Sequence, residues 1–136
     1  MFKLSFYKYP AEKGAHFWQS AEVEKALCDY TGRPCKVYTD ERGKPLCEGV
    51  YLSISHTDGT ALLAISDDPI GVDIERLDRE IHIDGVTVWD WTDAEATAKL
   101  TGMPVRAVLK KTPENISIFQ MEKDGLAISM AEYKTY

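Results

Sequence analysis

Asp73 and Glu75 are the residues whose type and spacing most directly suggest chemistry. They lie in Ile70-Gly71-Val72-Asp73-Ile74-Glu75, which reads as a short strand. Side chains two apart on a strand point the same way, so the carboxylates share one face while Val72 and Ile74 take the opposite, core-directed one. Two carboxylates about 7 Å apart along a strand repel each other unless protons or a cation sit between them. A hard, oxygen-seeking cation such as Mg²⁺ is one natural partner; an edge strand with a solvated acidic face fits the same alternation. Asp68-Pro69 supplies a turn before the strand, and Gly71 admits a close approach to the backbone. Glu95 and Lys99 form a second pair, four residues apart and so on one face of an expected helix.

The elements that must position these groups follow from hydrophobic period and punctuation. Phe2, Leu4 and Phe6 alternate with Lys3, Ser5 and Tyr7 in a half-buried strand closed by Pro10. A helix is expected from about Gly14 to Tyr30, with Phe17, Val23, Ala26, Leu27 and Tyr30 on its apolar face, ended by Gly32 and Pro34. Cys35 to Thr39 reads as a short strand, and residues 40 to 45 as a turn-rich loop. Gly49 to Ser55 alternates as a strand, His56-Thr57-Asp58-Gly59 as a turn, and Thr60 to Ser66 as an apolar return strand. A helix near Asp93 to Leu100 is predicted to start at Thr92, since Thr92-Asp93-Ala94-Glu95 has the capping-box pattern. Gly102 and Pro104 end it. Ile116 to Met121 and Leu126 to Met130 flank Lys123-Asp124-Gly125 as a hairpin. The order strand, helix, strands occurs twice and suggests two related halves, 1–69 and 70–136, within a single domain.

Composition narrows the partners. The chain has 136 residues, 44% hydrophobic and 28% charged, with a net charge of −6, as in a soluble globular protein. That balance argues against nucleic acid, whose phosphates need a concentrated basic face, and against an anionic membrane surface. Cys28, Cys35 and Cys47 are odd in number and lack Cys-x-x-Cys spacing, which favours reduced thiols in a cytoplasm over disulfides or a zinc site. No stretch approaches a signal peptide or a membrane span. His16 and His82 read as surface residues.

Four blocks stand in order: Gly43-Lys44-Pro45, Ser53-Ile54-Ser55-His56, Gly71-Val72-Asp73-Ile74-Glu75, and Trp91-Thr92-Asp93-Ala94-Glu95-Ala96-Thr97-Ala98-Lys99. Together they resemble the 4′-phosphopantetheinyl transferases of the surfactin-synthetase-activating type, over about Gly43 to Gly102. The resemblance implies an α+β fold, a pseudo-dimer of two small α+β halves with coenzyme A between them. It implies transfer of the phosphopantetheine arm of coenzyme A to a serine of an acyl or peptidyl carrier protein, with Mg²⁺ required. By the same resemblance Asp73, Glu75 and Glu95 hold the Mg²⁺, and Glu95 is also the general base. Lys99 clamps the pyrophosphate, Ser55 and His56 meet the 3′-phosphate, and Lys44 and Pro45 line the adenine end; Arg76 could meet a phosphate.

The sequence departs from the pattern in places. Ala94 stands where the family has a lysine before the helix glutamate, and the stretch from Arg76 to Glu95 is about half the usual length. Both features also suit a non-catalytic relative that binds coenzyme A or a carrier protein. The second half is expected to be truncated, leaving a sheet edge that a second copy could cover. An acidic carrier would need a local basic patch, which Arg106, Lys110 and Lys111 could supply, although these also fit a solvated face.

Overall fold

A computed structural model describes residues 1–135 and divides the chain into two units, Met1–Pro69 and the remainder from Ile70. The protein is α+β, with short helices set on small antiparallel sheets.

In the first unit, β1 (Phe2–Lys8), β4 (Tyr51–Thr57) and β5 (Thr60–Ser66) form a sheet in the order β1-β5-β4. In place of the single helix expected over Gly14 to Tyr30, a 3₁₀ helix spans Ala11–Gln19 and α1 spans Ala21–Thr31. Ser20 separates them: its backbone is extended and its hydroxyl accepts from the Val23 N–H, making it the N-cap of α1. Gly32 ends α1 in the left-handed conformation, as the sequence suggests. Phe17, Val23 and Leu27 are buried against Leu52, Leu63 and Ile65 of the sheet. Tyr7 joins this core, its ring 5.3 Å from that of Phe17. A two-stranded ribbon of β2 (Tyr38–Thr39) and β3 (Pro45–Leu46) replaces the longer strand expected from Cys35. Cys35 and Cys47 are buried as free thiols; burial and the neighbouring Cys35 thiol push Cys47 up to about 11, so it stays protonated.

The second unit contains β6 (Ile70–Arg76), α2 (Val88–Thr101), a short α3 (Val105–Val108), β7 (Ile116–Lys123) and β8 (Leu126–Tyr133), with sheet order β6-β8-β7. Its topology repeats that of the first unit: a strand, a helix, then a hairpin whose last strand pairs with the first. The hairpins also turn alike. Asp58-Gly59 and Asp124-Gly125 each form a two-residue loop with both residues at positive φ, as a type I′ turn requires. The first of these loops leaves His56 and Thr57 inside β4 rather than in the turn where the sequence pattern puts them.

Helix α2 begins five residues before the expected start. Thr87 is its N-cap, accepting from the Asp90 N–H while the Asp90 carboxylate accepts from the Thr87 N–H. Thr92 is instead buried inside the helix. Glu95 is therefore no capping residue but a mid-helix side chain.

The face of β6 that carries Gly71, Asp73 and Glu75 is the face on which α2 lies. A Cβ on Gly71 would sit 2.1 Å from the Ala96 carbonyl oxygen and 2.8 Å from the Leu100 nitrogen. Ala96, Leu100, Ile116 and Ala131 close the core beside this contact. Because backbone rather than a flexible side chain blocks that space, Gly71→Ala should cost about 3 kcal/mol or more in urea unfolding, at the upper end of overpacking effects. A loss below about 1 kcal/mol would mean that α2 does not pack this closely.

Candidate functional site

Strand β6 and helix α2 set the sequence-predicted residues of the second unit side by side. Val72 and Ile74 are buried, on the face expected. Asp73 is buried as well, so its face is not the solvated one that an acidic edge strand would show. The Lys99 ammonium reaches from α2 to the Val72 carbonyl at 3.0 Å and to Asp73 Oδ1 at 3.4 Å. Lys99 thus crosses to the strand, a different arrangement from the ordinary i,i+4 pair along the helix.

Glu75 meets a different cation. Arg79 Nη1 donates to Glu75 Oε2, and its guanidinium carbon lies 5.8 Å from the centre of the Trp91 ring, within reach of a cation–π contact. Trp91, Glu95 and Lys99 succeed one another at four-residue intervals and so form one stripe of α2. One end of that stripe is tied through Arg79 to Glu75, and the other through Lys99 to Asp73. Glu95 occupies the position between them. Asp73 and Glu75 thus lie on the strand face that α2 covers, and Glu95 lies on the α2 stripe whose ends carry their ties.

Arg76 points elsewhere, its Nε 3.3 Å from Asp78 Oδ1 in an exposed pair. Four further residues belong to the first unit. Ser55 is buried on β4 and pairs in register with Leu62. His56 is exposed at the end of β4, its ring packed so closely on Gly14 of the 3₁₀ helix that a Cβ there would sit 2.4 Å from Nδ1. Lys44 and Pro45 stand half-buried at the β2–β3 turn. Asp40 shapes that turn by accepting from the Lys44 and Arg42 N–H groups at 2.9 and 2.8 Å. The Lys44 bond is the larger cause holding its carboxyl below the usual range, and Arg42 adds to it. Arg106, Lys110 and Lys111 are exposed, with Lys110 donating to the Gly85 carbonyl at 2.9 Å.

Sequence reasoning missed two features. One is Arg79, whose side chain reaches back to Glu75 from the turn after β6; a loop arginine has no period to betray it. The other is a polar network beneath α2. Ser129, opposite Asp73 in the β6–β8 register, donates to Asp93 at 2.6 Å. Thr92 lies 2.8 Å from the Ser129 hydroxyl, and the Gln120 amide donates to both Asp93 oxygens at 3.0 and 2.9 Å. Ser129 as the lone polar residue in Leu126 to Met130 was the available signal.

Whether the acidic residues suit a divalent cation can be judged from the donors. Carboxylates from a strand and a facing helix are the oxygen ligands that Mg²⁺ takes alongside water and phosphate, so the set fits in kind. In arrangement, Asp73 and Glu75 each lie against a protein cation. Among the described residues no three His, Cys, Asp or Glu side chains are gathered so as to hold a metal ion as they stand. No helix among them is long and apolar enough to cross a membrane. Neither the family models nor the curated proteins searched give a match to this chain.

The buried network fixes the rotation of α2 on the sheet, and hence which stripe meets β6. Ser129→Ala removes a donor from the half-buried Asp93 and a partner from the buried Thr92. It should lower unfolding free energy by about 1–3 kcal/mol, read from thermal or urea melts. A neutral result would show that water replaces the hydroxyl and that the network does not hold the helix.

Proposed function

We propose that this protein transfers the 4′-phosphopantetheine arm of coenzyme A to a serine of an acyl or peptidyl carrier protein. Lys99 on Asp73, with Glu95 one helical turn from Lys99 on the same stripe, is the observation that carries this reading. It places a fixed cation beside carboxylates that can serve both a metal and a proton. The repeated strand–helix–hairpin topology supports a pseudo-dimeric transferase fold. The four sequence blocks supply the assignment to coenzyme A.

In this reaction the serine hydroxyl oxygen attacks the phosphorus of the phosphopantetheine phosphate. A P–O bond of the pyrophosphate breaks, and 3′,5′-adenosine bisphosphate leaves with the bridging oxygen. The serine proton passes to Glu95, directly or through a water. Charge accumulates on the phosphoryl and leaving-group oxygens, so catalysis is chiefly positioning and electrostatic stabilisation. Lys99, already oriented by the Val72 carbonyl and Asp73, supplies positive charge on one side of the diphosphate. Asp73, Glu75 and Glu95 would hold Mg²⁺, which would supply positive charge against the charge developing on the diphosphate. Arg106, Lys110 and Lys111 are the exposed cations available to an acidic carrier.

A second reading, a relative that binds coenzyme A without transferring from it, has one observation in its favour. Ala94 is 1% exposed, so the lysine of the family pattern has no room to project from this helix position into solvent.

Transfer by the wild type separates the two, and Glu95→Gln tests the base. Glu95 is a partly exposed mid-helix residue outside the buried network, so the variant should keep its melting temperature. Calorimetric titration without metal should show coenzyme A still bound, while transfer falls by at least about 100-fold, the scale of a lost general base. Unchanged transfer would reject the role given to Glu95.

A further inference from the structure

We infer that Arg79 is an anion-binding residue held in reserve: in the ligand-free protein it neutralises Glu75, and in the loaded site it transfers to the diphosphate of the substrate. This rests on the reading of the α2–β6 layer as a metal–diphosphate site, and adds to it a residue that no sequence block marks.

The two strand carboxylates are each countered by a cation from outside the strand, Asp73 by Lys99 and Glu75 by Arg79. Each strand carboxylate is thus balanced by one cation. A divalent cation held by Glu75 would add two positive charges, and Arg79 would lose its reason to stay on the carboxylate. A diphosphate diester, carrying two negative charges, restores the original balance. The guanidinium then has a new partner whose oxygens match its planar fork.

Arg79 is placed to make that exchange. Its side chain is 43% exposed, against 14% for Glu75, so it approaches the carboxylate from the solvent side. The Trp91 ring, its centre 5.8 Å from the guanidinium carbon, gives Arg79 a second contact beside the carboxylate. Lys99 is tied down by a backbone carbonyl in addition to Asp73, and so acts as the fixed cation where Arg79 acts as the movable one. The alternative is that Arg79 simply staples the segment after β6 to the strand and to α2.

Metal and anion affinities, measured separately on the full-length protein, distinguish the two roles. Mn²⁺ serves as the metal probe and inorganic pyrophosphate as the anion, both followed by calorimetry. Arg79→Gln removes a competitor for Glu75, so Mn²⁺ alone should bind about 5-fold more tightly, while pyrophosphate in the presence of Mn²⁺ should bind about 10-fold more weakly. Both affinities unchanged, or both reduced together with a lower melting temperature, would overturn the proposal and leave Arg79 a structural staple. Glu75→Gln provides the reciprocal test if Arg79→Gln fails to fold. It frees Arg79, so pyrophosphate without metal should bind about 5-fold more tightly than to the wild type; no gain would overturn the proposal. Failure here is distinct from failure of the underlying reading. If wild-type protein binds Mn²⁺ and pyrophosphate, and Asp73→Asn weakens both while Arg79→Gln moves neither, the site stands and Arg79 has no part in it. If the wild type binds neither probe, the metal–diphosphate reading falls, and this inference with it.

Discussion

Helix α2 can lie on β6 only because Gly71 carries no side chain. The space a Cβ would need is filled by the helix backbone itself, so the approach tolerates no adjustment by rotamer changes. That contact sets the height of the helix above the sheet. The network of Thr92, Asp93, Ser129 and Gln120 sets its rotation. With both fixed, Lys99 meets Asp73 and the stripe of Trp91, Glu95 and Lys99 runs along the acidic strand. The chemistry proposed for the layer therefore depends on a glycine and a buried serine, neither of which takes part in it.

The repeated topology gives this arrangement a context. Each unit is a strand, a helical segment and a hairpin closed by Asp-Gly, with the last strand in the middle of its sheet. The same scaffold carries different cargo. In the second unit the first strand bears carboxylates, and their partners come from the helix (Lys99) and from the turn after the strand (Arg79). In the first unit, the corresponding strand, Phe2–Lys8, bears no acid, and the covering helical segment buries Phe17 and Leu27 instead.

Much of this was legible in the sequence, and the failures have physical causes. The alternation in Ile70 to Glu75 and in the two hairpins located their strands, because period two survives wherever one face is buried. The expected start of α2 differs because two neighbouring segments satisfy the same local rule: Thr87-Val88-Trp89-Asp90 and Thr92-Asp93-Ala94-Glu95 both offer a hydroxyl and, three residues on, a carboxylate. Burial of Thr92 on Ser129, a contact 37 residues apart in sequence, decides between them, and no local pattern reports it. The break at Ser20 was hidden because apolar residues continue on both sides of it. Asp73 and Glu75 were found by spacing, but their neutralisation by Lys99 and Arg79 was not, since it depends on how helix and turn fold back over the strand.

The account stands or falls on group transfer, and mass spectrometry of an apo carrier protein tests it most directly. The carrier would be incubated with this protein, coenzyme A and Mg²⁺, with a parallel sample in which the metal is chelated. The account predicts that the carrier gains the mass of one phosphopantetheine group on its serine, with the gain lost on chelation. An unmodified carrier across several acyl and peptidyl types, under conditions where coenzyme A binding is independently confirmed, would contradict it and establish a binding protein in place of a transferase.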